Sequence, residues 1–374
     1  MRTAEIFKII EETAPLSLAE TWDNPGLQLG SYTDEVSRIV TCLDLTDKVI
    51  KEAIASKAEL ILTHHPMFFE GLKRIDRDRY TGKMIQMLLQ NSISVYAAHT
   101  NLDKAHGGLN DYVGNLLGLK ELTPLLPEKK TAGYYKVVTF VPKTHLQNIL
   151  SGIQSLDPPL LLGDYKDCTF RNEGIGTFTP LEKAQPFIGE HHRFTEVEEI
   201  KIETMVRRDQ LEAALIAIKE NHPYEEAVID VFPLENRHLA STQGLGRIGK
   251  LKESMIYSQF ISFLKERMGL QVIRECGPAP AKVRKVALCT GSGSSLMLAS
   301  LKQGADLYIT GDMKHHDAQR AYENGICVLD CGHYGTEKFA SEVLSQILKK
   351  DKMFLEKGIE VISSHRNADF FNII

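Results

Sequence analysis

Two distant stretches of this chain follow one plan, and that repeat constrains the fold more than any other feature. "KAELILTHHP" (Lys57 to Pro66) and "GADLYITGDM" (Gly304 to Met313) each carry a short apolar run into polar residues, with Ala58-Glu59-Leu60 in register with Ala305-Asp306-Leu307. The likeness continues on both sides. "RIVTCLDLT" (Arg38 to Thr46) resembles "KVALCTGSG", and "NSISVYAAHTNLD" resembles "GICVLDCGHYGTE". Short apolar runs bounded by turn residues read as strands. Between them "DKVIKEAIASKA" places Val49, Ile50, Ala53 and Ile54 on one helical face, and "TGKMIQMLLQNS" and "GGLNDYVGNLLGL" read as further helices. Alternating strands and helices argue for an α/β fold with a largely parallel or mixed sheet. The repeat argues for two similar α/β halves packed against each other.

A segment of different character, Thr131 to His238, separates the halves. "YYKVVTFVP" reads as a strand and "KTHLQNILSGIQSL" as a helix, and the stretch from Lys201 to Leu234 reads as strand, helix, strand. That order suits an inserted ferredoxin-like α+β module. Pro124 and Pro127 mark its entry, and "LENRHLASTQGLGRIG" its return. The expected division is 1–130, first half; 131–238, insert; 239–374, second half.

The strand "ELILTHHP" ends in two adjacent histidines, although successive strand side chains point to opposite faces. Pro66 holds His65 in an extended or turn conformation, so the backbone can bend there. Asp103 follows another strand in its exit loop. His333 and Glu337 lie four apart at a helix start, on one face. All follow strands, and ligands of α/β sheets gather beyond the carboxyl ends of strands. A single zinc ion takes three or four ligands. Three histidines and two carboxylates exceed that number. They suit two ions about 3.5–4 Å apart, sharing a carboxylate and a water or hydroxide. Mixed nitrogen and oxygen donors fit zinc, iron, manganese or cobalt without choosing among them; zinc is the expected ion.

Other groups have plainer roles available beside a functional one. "CTGSGSSLMLAS" is a tight turn that could hold a substrate phosphate, but it lacks the lysine of a P-loop. His99 is a candidate substrate contact or support for the ligands. Asp312, Lys314, His315 and His316 end another strand; if the halves repeat, Asp312 occupies the place of His65, and one of the four could act as acid or base. Trp22 with Asp23 to Gly26 reads as a structural turn, and His191, His192 and His222 as residues of the insert's surface and loops. The six cysteines sit mostly in apolar runs and read as reduced thiols, Cys327 and Cys331 included, which points to the cytoplasm.

"MRTAEIFKIIEETAP" reads as an amphipathic helix, with Ile6, Ile9 and Ile10 on one face, and not as a signal peptide. No apolar run has the length of a membrane span. A net charge of −5 gives no basic footprint for nucleic acid.

"WDNPGLQLG", "ILTHHPMFF", "AAHTNLD", "GLGRIG", "TGSGSS", "YITGDM" and "GHYGTEK" together resemble the family called GTP cyclohydrolase I type 2 homologs, or NIF-three-like proteins, across both halves. The insert, with "NHPYEEAVIDVFPL", looks like the PII- or CutA-like module of longer bacterial members. The resemblance implies metal ligands at His64, His65, Asp103, His333 and Glu337, and a toroidal homohexamer with its sites facing an internal cavity. It implies a dimetal hydrolase, with hydrolytic ring opening of GTP or phosphoester hydrolysis as reactions and a small molecule or nucleotide as ligand. The alternative is a non-catalytic metal-binding or regulatory assembly with a ligand-sensing insert.

Overall fold

The computed structural model describes residues 1–128, 134–162, 165–234 and 241–373. The chain divides into two compact units, Met1–Glu128 with Ser241–Ile374, and Lys129–Ala240. The expected boundaries at 130/131 and 238/239 fall outside the described residues, as does part of the return segment at 235–240.

The first unit holds two mixed sheets. One runs in the order Gly26–Leu29, Ser94–Ala97, Leu60–Thr63, Arg38–Cys42, Glu360–Ser363. The other runs Arg274–Cys276, Val328–Asp330, Leu307–Gly311, Lys282–Ser292, Gly244–Ile256, Lys120–Pro127. Each has an antiparallel edge strand followed by three parallel strands in the same relative order. The paired motifs of the sequence occupy equivalent strands.

The halves also exchange a strand. Glu360–Ser363, from the end of the chain, pairs parallel with Arg38–Cys42, and Lys120–Pro127, from the first half, pairs antiparallel with Gly244–Ile256. Pro124 and Pro127, just before the second unit, lie in an edge strand, a position that tolerates a missing N–H.

Burial explains the helices. Ile6, Phe7 and Ile10 of the helix Thr3–Thr13 join Leu60, Leu62, Leu344 and Leu348 in one apolar cluster. Thr46 caps the helix Asp47–Ser56 by accepting from the Val49 N–H. Asp103 is not in a loop: Thr100–Lys104 forms one helical turn, as His333–Glu337 does in the other half.

In the second unit four antiparallel strands take the order Ile229–Leu234, Tyr134–Pro142, Thr195–Arg207, Thr169–Phe178. With the helices Leu146–Gln154 and Leu211–Glu220 they form a βαββαβ unit. Ile149, Ile153, Ala214 and Ile218 pack over Val137, Val141, Ile200 and Ile202. Among the described residues no helix is long and apolar enough to cross a membrane.

Candidate metal centre

Beyond Thr63 the backbone stays tied to the neighbouring strand. The His64 N–H donates to the Cys42 carbonyl at 3.1 Å, and the His65 N–H to the Leu43 carbonyl at 3.0 Å. The two imidazoles leave this anchored segment with ring centroids 5.2 Å apart and planes tilted by 39°.

His64 is fully buried, and its Nδ1 lies 2.8 Å from the Ala98 carbonyl oxygen. A carbonyl only accepts, so Nδ1 carries the proton and Nε2 keeps a lone pair. That Nε2 is buried without a hydrogen-bond partner. It faces Asp103 Oδ1 at 3.6 Å and Glu337 Oε1 at 3.9 Å. The other oxygen of Glu337 lies 2.9 Å from His65 Nε2 and 2.8 Å from His333 Nε2. Two donor triads result, His64–Asp103–Glu337 and His65–His333–Glu337, each compact enough to hold an ion. Glu337 belongs to both.

Every imidazole here is held from behind through Nδ1. His65 bonds Asp44 at 2.7 Å, His333 bonds Asp312 at 2.7 Å and His99 bonds Asp23 at 2.7 Å. Metal-binding histidines are oriented by such partners. The orphaned Nε2, the shared carboxylate and these supports fit a divalent metal and its nitrogen–oxygen donor chemistry.

The metal-free groups are electrostatically poised. Burial disfavours charge on His65, but hydrogen bonds to Asp44 and Glu337 outweigh it and raise the imidazole to about 10. The Glu337 hydrogen bond is the main cause of a rise to about 9 at His333, against burial and with help from Asp312. For Glu337 burial acts upward, yet hydrogen bonds to His333 and His65 and the nearby His64 imidazole hold the carboxyl well below the usual range. Asp103 is raised by burial.

The glycine-serine turn supports the centre. Gly291 has φ +63, and a Cβ there would lie 2.1 Å from Glu337 Oε1, so the carboxylate occupies space that only glycine leaves. Three N–H groups of the turn are already engaged: Thr290 to Asn110 Oδ1, Gly291 to Thr336 Oγ1 and Gly293 to Thr310 Oγ1. They are therefore not free for a phosphate, and the turn fixes its neighbours instead.

The five residues named from spacing meet here. His99 joins them, with a ring nitrogen within 4.8 Å of nitrogens of His64 and His65. Asp312 does stand at the strand position equivalent to His65, where it orients His333; His315 and His316 are exposed at the start of the helix His315–Glu323. The turn at Trp22 is more than structural, because Asp23 accepts from Thr100 and pairs with His99. Asp23, Asp44 and Asp312 were not found as a supporting set in the sequence. The one available signal was the spacing His99/Asp103, which repeats as His333/Glu337. In the insert His191 and His192 are exposed, and His222 donates from Nε2 to the Phe140 carbonyl, 2.9 Å away. None of the six cysteines is bridged.

A cavity of about 890 Å³ opens over the centre, reaching His65, His99, Asp103, His333 and Glu337.

A family model described as Duf34/NIF3 (NGG1p interacting factor 3) matches residues 1–370. A protein of Halalkalibacterium halodurans named GTP cyclohydrolase 1 type 2 homolog is 37% identical over 369 residues, covering 99% of this chain and 98% of the relative. A protein of the same name from Bacillus subtilis is 35% identical over 373 residues, covering 99% and 98%. Among solved structures, a Bacillus cereus protein related to NIF3 aligns with a TM-score of 0.80 at 35% identity, covering 100% of this chain and 99% of the other. A Staphylococcus aureus protein aligns with a TM-score of 0.86 at 31% identity, with the same coverage.

Proposed function

The chain belongs to the Duf34/NIF3 family, and from that premise we propose that it is a dinuclear metal-binding protein acting as a metal-dependent hydrolase. The observation that carries the reading is the buried, unpartnered Nε2 of His64 facing two carboxylates, one of which also serves His65 and His333. His64, Asp103 and Glu337 would hold one ion, and His65, His333 and Glu337 the other. Zinc is the first choice, with iron, manganese or cobalt as alternatives. When bound, two such ions supply Lewis acidity and a water of lowered pKa. The protein's own part is to fix the donors: Ala98, Asp44 and Asp312 set the imidazole tautomers, and Gly291 makes room for Glu337. GTP ring opening, the activity implied by the relatives' name, and phosphoester hydrolysis are the reactions to test. Protein loaded with a defined metal should turn over a member of a panel containing GTP, other nucleotides and phosphoesters. His65→Ala should abolish that turnover; full turnover by the variant, or none by the loaded parent, overturns the reading.

The finer features follow from the same family resemblance. The assembly would be a homohexameric ring, and the insert would be ferredoxin-like of the PII or CutA kind, which its βαββαβ order supports. Six unbridged thiols support the cytoplasm. A second reading, a non-catalytic metal-binding assembly with a ligand-sensing insert, is favoured by one observation. The Lys129–Ala240 unit has its own cavity of about 710 Å³, lined by groups such as Phe140, Phe178, Phe187, Glu199 and Tyr224. Bound metal without turnover, together with a specific ligand, would select it.

A further inference from the structure

The cavity over the centre has an unusual wall. Among the described residues lining it, none is Lys or Arg. Lys104, beside Asp103, is instead engaged by Glu20 at 2.9 Å and Glu128 at 3.2 Å. Carboxylates are plentiful: Glu20, Asp44, Asp103 and Glu337 line the cavity, and Asp23 and Asp312 stand behind His99 and His333. With Glu20 offset by Lys104, four positive charges from two divalent ions would still not exceed the remaining five carboxylates. Apart from the two ions, such a wall offers a polyanion no positive partner, whereas sites for transferred phosphates add basic side chains or exposed N–H groups to their metals.

The apolar part of the wall has a definite geometry. Trp22 and Phe69 lie 6.0 and 5.7 Å from the His99 ring, edge-on at 75° and 80°. They remain 62% and 53% exposed, although both line the cavity. Their loops are tied together. Asn24 Nδ2 donates to the Phe68 carbonyl at 2.7 Å, Gln28 Nε2 donates to the Asn24 carbonyl at 2.7 Å, and the Phe68 N–H donates to Gln28 Oε1 at 3.2 Å. Two pre-positioned aromatic faces beside a buried imidazole favour a flat, polarisable ring. Ser292 and Ser295 add neutral hydroxyls to the same wall.

We propose that the cavity takes a planar heteroaromatic compound in an uncharged or singly charged form, with its ring against Trp22 and Phe69, and that it discriminates against a nucleoside triphosphate by charge. The proposal deepens the hydrolase reading and rests on it only for what the polar edge of the ligand meets at the centre.

Trp22 is the chain's one tryptophan, so its fluorescence reports this wall alone. The full chain, both loaded with excess zinc and stripped by chelator, should be titrated with guanosine, GTP and ribose 5-phosphate, with calorimetry in parallel. Guanosine should quench Trp22 in both states and bind loaded protein about tenfold more tightly than GTP, with ribose 5-phosphate weaker still. Phe69→Ala should weaken guanosine about tenfold, the scale of one base–aromatic stack, and leave bound zinc unchanged. GTP binding as tightly as guanosine, or an unaffected Phe69→Ala, overturns the proposal. So does a Trp22 that acrylamide cannot reach in the free protein, since a second copy would then cover the wall. If zinc fails to bind while guanosine still quenches, the hydrolase reading falls and the ring site stands. If zinc binds and guanosine does not, the ring site falls alone.

Discussion

Glu337 is the residue on which both triads converge, with one oxygen toward His65 and His333 and the other toward His64. Its replacement should therefore cost more metal than that of Asp103. By elemental analysis Glu337→Gln is expected to lose both ions, whereas Asp103→Asn keeps about one per chain, at His65 and His333. The raised imidazoles give a pH dependence. His65 and His333, held up at about 10 and 9, stabilise the metal-free fold fully below the unfolded value of 6.5, and lose that contribution as pH rises through those values. Glu337, held low, contributes above its ordinary 4.5 and loses its contribution as pH falls. Metal must displace the imidazole protons, so affinity and the metal-induced rise in Tm should both grow between pH 6 and 9, with proton release measurable by calorimetry in buffers of different ionisation enthalpy. The donor types and spacings were readable in the sequence because His-His-Pro and the four-residue steps are local. The supporting acids were not: Asp44 lies 21 positions from His65 and Asp23 76 positions from His99, so only the folded register pairs them.

At the scale of elements, the repeat was legible because three equivalent strands keep their order and their register of apolar residues. The exchange of strands was not, since nothing local in "EVIS" or in Lys120–Pro127 says which sheet will take it. The short helix carrying Asp103 was missed for a related reason: five residues are too few for a periodicity signal. One buried pair ties the strand Gly244–Ile256 to the helix Leu109–Leu116. Arg247, 1% exposed, meets Asp111 at 2.7 and 3.0 Å and also donates to the carbonyls of Gly244, Gly246 and Ala105. Asp111→Ala strands that guanidinium and should cost about 3–5 kcal/mol in denaturant unfolding, more than a surface substitution of the same size.

For the whole molecule, the insert leaves and re-enters at neighbouring points. The Glu128 N–H donates to the Gln243 carbonyl at 2.9 Å, and Pro127 pairs with Gly244. Replacing residues 129–240 with a short turn should thus close a hairpin and leave a folded, metal-binding unit, as judged by circular dichroism and metal content. An unfolded product would show that the insert is needed for the first unit's stability. The central claim, two ions held by five side chains, has a more direct test. Protein purified without chelators, then dialysed with zinc and analysed for metal, should retain about two ions per chain, reduced to about one in Asp103→Asn. A chain that holds no divalent metal under those conditions would contradict it.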